Sequence, residues 1–143
     1  MTALSRDPGW EFGPSIRQFE ALDIAADNFD HEAHLYVAWQ YLAEFELLEA
    51  IDRYRRSLRR LTAKLGVPDK YHETITWAYM IAVAERRQAL PEDDWEAFRA
   101  ANPDLFERGG GFIRRHYSDS TIGSPLAQKL FLLPDRQGPA SSV

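Results

Sequence analysis

Between positions 47 and 65 the apolar residues Leu47, Leu48, Ile51, Tyr54, Leu58, Leu61 and Leu65 recur three or four places apart. Arg53, Arg55, Arg56, Arg59, Arg60 and Lys64 fill positions between them. Only an α-helix puts residues at that spacing on one face. A helix this one-sided has to bury its stripe against other elements, which makes the chain a packed domain built around helices. Gly66 is placed to end the helix, and Pro68 prevents its continuation.

The segment before it, HEAHLYVAWQYLAE, is apolar or aromatic nearly all round, which predicts a central helix over about 30–43 and a break near Glu44–Glu46. Asn28 and Asp30 are both candidate N-caps, and Phe29 beside them can pack back on the first turn as a staple. The segment after it, KYHETITWAYMIAVAERRQAL, predicts another core helix, with Asp69 as its cap and Arg86 and Arg87 at its C-terminal end. Shorter helices are expected after Pro14-Ser15, from Pro91 with Trp95 and Phe98 as anchors, and from Ser124-Pro125 to Phe131. No stretch of useful length alternates like a strand. The fold class is therefore all-α, an antiparallel helical bundle of about four main helices with short accessory helices. Residues 1–14 are expected to be a mobile N-terminal segment, 15–134 one helical domain, and 135–143 a disordered tail.

The chain of 143 residues contains no cysteine, which rules out disulfides, thiolate metal sites and a cysteine nucleophile. A net charge of −5 argues against nucleic acid as a partner. The first residues lack the apolar core of a signal peptide, and no apolar run is long enough to span a bilayer, so a cytoplasmic location without a membrane partner is expected.

The chemistry-bearing residues concentrate at two helix starts. His31 and His34 are three positions apart, so their Cβ atoms share one face at about 5–6 Å. His72 stands at the start of the other core helix, followed by Glu73. An up-down-up course makes these two helices parallel and brings all three histidines to one end of the bundle. Three imidazoles with an open position suit a mononuclear divalent metal, zinc or iron. The expectation is a metal-binding protein with His31, His34 and His72 as ligands, leaning to a metal-dependent enzyme acting on a small-molecule substrate. Glu73 would be a ligand or general base, Tyr71 a second catalytic candidate, and Tyr36, Tyr71 and Trp39 walls of a pocket. A histidine near a helix start can also simply cap it or sit in a satisfied hydrogen bond. The alternatives are a metal-free ligand binder or enzyme with one histidine as acid or base, or a non-catalytic interaction module, with a homodimer as one form. His116, in the loop-like FIRRHYSDS, is a weaker candidate for the same site.

The segments FDHEAHLYVAWQYL, YHETITWAYM and HYSDSTIGSPLAQKLFLLPD resemble a group of small bacterial helical proteins with F-x-H-x-x-H-L, YHETIT and S-P-x-A-x-x-x-F-x-x-P-D elements. The resemblance spans roughly residues 25–135 and implies that Phe29, His31, His34, Tyr71, His72, Glu73 and Thr74 are recurring positions. It implies no activity. Hemerythrin-like and ferritin-like proteins need carboxylate-rich diiron patterns that this chain lacks.

Overall fold

The computed structural model describes residues 11–136. Their regular structure is entirely helical: α1 (Ile16–Glu20), α2 (His31–Glu44), α3 (Leu47–Lys64), α4 (Glu73–Ala89), α5 (Trp95–Ala101), α6 (Gly111–His116), α7 (Asp119–Ile122) and α8 (Pro125–Lys129), with short 3₁₀ turns between some of them. No helix among these residues is long and apolar enough to cross a membrane.

Local chemistry accounts for most of the boundaries. Asp30, not Asn28, caps α2 by accepting from the Ala33 N–H at 2.9 Å. Phe29 stacks on the His34 ring with centroids 3.9 Å apart, closing the staple across the first turn. Gly66 follows α3 at φ +79°, a left-handed conformation that glycine adopts without steric cost. The predicted start of α4 is displaced. Asp69 lies in a 3₁₀ turn over Pro68–Lys70, and His72 itself is the cap. Likewise α5 begins after Asp94 rather than at Pro91, and FIRRH is helical as α6 rather than loop-like.

Both faces of α2 are buried, in two separate cores. Val37, Ala38 and Tyr41 pack with Phe19, Ile51, Tyr54, Leu61 and Met80 from α1, α3 and α4. Leu35 and Trp39 pack with Val83, Trp95, Phe98 and Tyr117, which come from α4, α5 and the end of α6. This is the central position that an all-round apolar helix requires. The register between α2 and α4 is parallel. His31 meets Tyr79 and Trp39 meets Arg87, both pairs 48 residues apart in the chain. The antiparallel α3 returns between them.

The chain ends described here are packed more firmly than the composition suggests. The part of the predicted mobile segment before residue 11 lies outside the described residues. Within 11–14, Phe12 makes an edge contact with Tyr36, and Gly13 sits so close that a Cβ there would lie 2.9 Å from the Tyr36 ring. At the other end, Asp135 accepts from the Ser118 N–H at 2.8 Å and from the hydroxyls of Ser118 and Thr121, so the domain runs past residue 134. Those three donors hold its carboxyl well down, at about 2. Residues 137–143 of the expected tail lie outside the described part.

Candidate functional site

The parallel register of α2 and α4 opens a cavity of about 480 Å³ at the shared start of the two helices. From α2 it is lined by His31, His34, Leu35 and Ala38, and from α4 by His72, Ile75, Thr76 and Tyr79. Each set falls at i, i+3, i+4, i+7, the single face of a helix. The C-terminal half of α3 supplies Tyr54, Leu58, Leu61, Thr62 and Leu65. The histidines predicted from sequence therefore do meet in one place. Tyr71 also lines it, but Tyr36 and Trp39 belong to the second core, on the other side of α2. His116 is elsewhere, with its ring against Phe112.

Carbonyl partners settle the tautomers, because a carbonyl can only accept. His31 donates through Nε2–H to Leu105 O at 2.8 Å, and its ring edge meets Tyr79 at 5.0 Å between centroids. His34 donates through Nδ1–H to Asp30 O at 2.8 Å. Its free nitrogen Nε2, like Nδ1 of His31, has no protein partner among the described residues. His72 is engaged on both sides. Its Nδ1 accepts from the Ile75 N–H at 3.2 Å as the helix cap, and Nε2–H donates to Ile122 O at 2.7 Å. With both ring nitrogens occupied, His72 has no lone pair to give a metal unless the start of α4 and its tie to α7 are undone. Among the described residues, no three histidine or acidic side chains form a group placed to hold a metal ion. The three histidines line one cavity, and of them His72 has both ring nitrogens engaged.

Glu73 is not in the cavity at all. It is only 7 % exposed and points to the other side of the turn. There its carboxylate accepts from Tyr71 Oη at 2.6 Å, Trp77 Nε1 at 2.9 Å and Arg55 Nε at 3.0 Å. Burial pushes its pKa up, but the three donors together outweigh burial and hold it below the usual carboxylate range. A carboxylate so engaged is a poor general base, and Glu73 acts here as a structural anion. Tyr71 is tied to it, and burial together with that carboxylate raises the Tyr71 phenol.

Tyr54, a member of the apolar stripe of α3, and Tyr79 also belong to the cavity. Tyr54 is buried at its floor, and desolvation drives its phenol strongly upward. Tyr79 stands beside His31, and burial pushes it up to about 12. Its hydroxyl has no hydrogen-bond partner among the described residues. The available signal was the i+7 spacing from His72 to Tyr79 on one helix. His34 is the most perturbed base. Desolvation, reinforced by the neighbouring His31, lowers its pKa to about 4 despite its bond to Asp30. It is neutral at pH 7, with Nε2 as an acceptor.

Comparisons with protein-family models, curated proteins and solved structures find no match.

Proposed function

We propose that this protein binds a small, largely apolar molecule in the α2–α4 cavity, with His34 Nε2 accepting a hydrogen bond from it. One observation carries this. Two histidines, each with an unused ring nitrogen, and a tyrosine hydroxyl without a partner line a mainly apolar chamber of about 480 Å³. That size and mixture, mostly apolar walls with a few convergent polar groups, is the usual form of a small-ligand site. His34 is neutral with a free ring nitrogen, but its lowered pKa makes it a weak base, so it orients a guest by accepting a hydrogen bond rather than by taking its proton.

The test is a ligand screen by thermal shift and calorimetry with wild type and His34→Phe. That variant keeps a ring against Phe29 and removes the acceptor. Binding that is lost in the variant supports the assignment. Equal binding by both refutes the role of His34.

A second arrangement is favoured by a specific feature, the unbonded nitrogens of His31 and His34 three residues apart on one helix face. Zinc or iron held by this pair, with solvent or a ligand completing the shell, would convert the cavity into a metal site. Elemental analysis of protein purified without a histidine tag separates the two. Stoichiometric metal that is lost in His34→Phe supports the metal centre, and metal-free protein that still binds ligand supports the first arrangement.

A further inference from the structure

His31, Ile75 and Tyr79, which line the first cavity, also line a second cleft of about 750 Å³. The two chambers differ in chemistry. The first is walled mainly by leucines, Ala38, Met80 and aromatic rings, with Thr62, Lys70 and Thr76 among them, whereas the second sets charged residues of α2, α5, α6, α7 and the turns before α6 among Ile75, Phe106, Ile113 and Ile122.

The charges of the cleft are not all neutralised. Glu32 pairs with Arg99 at 3.0 Å, and Glu107 pairs with Arg115 at 3.4 Å. Asp30 caps α2, and Asp119 sits in the first turn of α7. Arg108 and Arg114, by contrast, are exposed in the cleft and have no ion-pair partner among the described residues. The chain as a whole is acidic, with a net charge of −5, and the cleft itself is lined by Asp30, Glu32, Glu107 and Asp119 against Arg99, Arg108 and Arg114, so an anion would be held by direct contact with Arg108 and Arg114 and not by the surrounding field.

Resting on the small-molecule reading above, we infer that the ligand is an amphipathic carboxylate. Its apolar body occupies the chamber between α2, α3 and α4. Its head passes His31 and Tyr79 and lies in the cleft within reach of Arg108 and Arg114. A guanidinium presents parallel N–H donors that match a carboxylate, which favours this head group over an alcohol or an amine. His31 stands where body and head meet, exposed at the junction with its Nε2–H held by Leu105.

The experiment measures two matched pairs by calorimetry on the full chain: octanoate with octanol, and phenylbutyrate with phenylbutanol. The alcohols report on the apolar chamber alone, and the carboxylates report on chamber and head site together. At low salt we expect a carboxylate to bind about tenfold more tightly than its alcohol. The gap should close in the Arg108→Ala/Arg114→Ala double variant and in high salt. Alcohol affinity should be unchanged in the double variant, and Arg60→Ala, on the far face of α3, should behave as wild type. Equal affinity within each pair, or a gap that survives the double variant, overturns the head-group assignment while leaving the chamber standing. Failure of both pairs to bind a protein that melts normally overturns the chamber as well.

Discussion

Two polar clusters flank the start of α4, and they are in opposite states. On one side Glu73 receives Tyr71, Trp77 and Arg55, and every strong acceptor position of the carboxylate is taken. On the other side His31 and His34 each keep a nitrogen unused, beside a tyrosine hydroxyl in the same condition. Both clusters contain the residue types from which active sites are made. Only the second has hydrogen-bonding capacity left for a molecule from outside. A buried polar group that is fully paired stabilises the fold, and removing one partner exposes the desolvation cost of the other. Chemistry-bearing residues are thus better sorted by unused valence than by type.

The largest effect is expected where the cluster is saturated. Glu73→Gln replaces the anion facing Arg55 and should cost about 3 kcal/mol in denaturant unfolding, with ligand affinity of the folded protein unchanged. A variant that folds as well as wild type but loses binding would reverse the roles of the two clusters.

The open cluster should show itself in pH dependence. His34 has its pKa lowered from 6.5 to about 4 in the folded state, so below pH 6.5 the unfolded chain binds the proton first. The stability contributed by the neutral, half-buried ring is complete above pH 6.5 and is lost as pH falls toward 4, by at most ~3 kcal/mol. His34→Phe should remove that slope from unfolding curves taken across this window. An identical slope in the variant would place the titrating group elsewhere.

Thr74 tests the side of the turn away from the cavity. Its buried hydroxyl bonds Ala127 O and Leu130 O at 2.7 and 2.6 Å and accepts from the Leu132 N–H. Thr74→Val keeps the shape and should cost about 2 kcal/mol by loosening the segment after α8. His72 sits between the two clusters and gives the smallest effect. His72→Asn retains a capping acceptor but gives up the bond to Ile122, and should cost about 1 kcal/mol where His72→Ala costs about twice that. Metal loss from His72→Ala with unchanged melting would restore the three-histidine centre expected from sequence.

Much of the cavity was legible in the chain. Spacing on α2 and α4 placed His31, His34 and His72 on faces that the parallel register brings together, and Asp30 and Phe29 read correctly as cap and staple. The cap of α4 did not. An aspartate in a Pro-Asp-Lys run is the stronger local signal, but the chain takes a 3₁₀ turn there and the imidazole does the capping instead. Glu73, expected beside His72 as a ligand or general base, lies instead with Tyr71, Trp77 and Arg55, because His72 is the extended cap and Glu73 the first residue of the helix, and the two side chains meet different neighbours.

What the sequence alone determined was the three long helices, the apolar stripe of α3 and, through the short connections, the common end at which α2 and α4 begin. Tertiary structure decided which nitrogens are free. His31 and His72 are held by the carbonyls of Leu105 and Ile122, 74 and 50 residues away. Every residue carries such a carbonyl whatever its side chain, so no residue type in the sequence marks the partner. Only the packed chain shows that His72 has both nitrogens occupied while His31 and His34 each keep one for a guest.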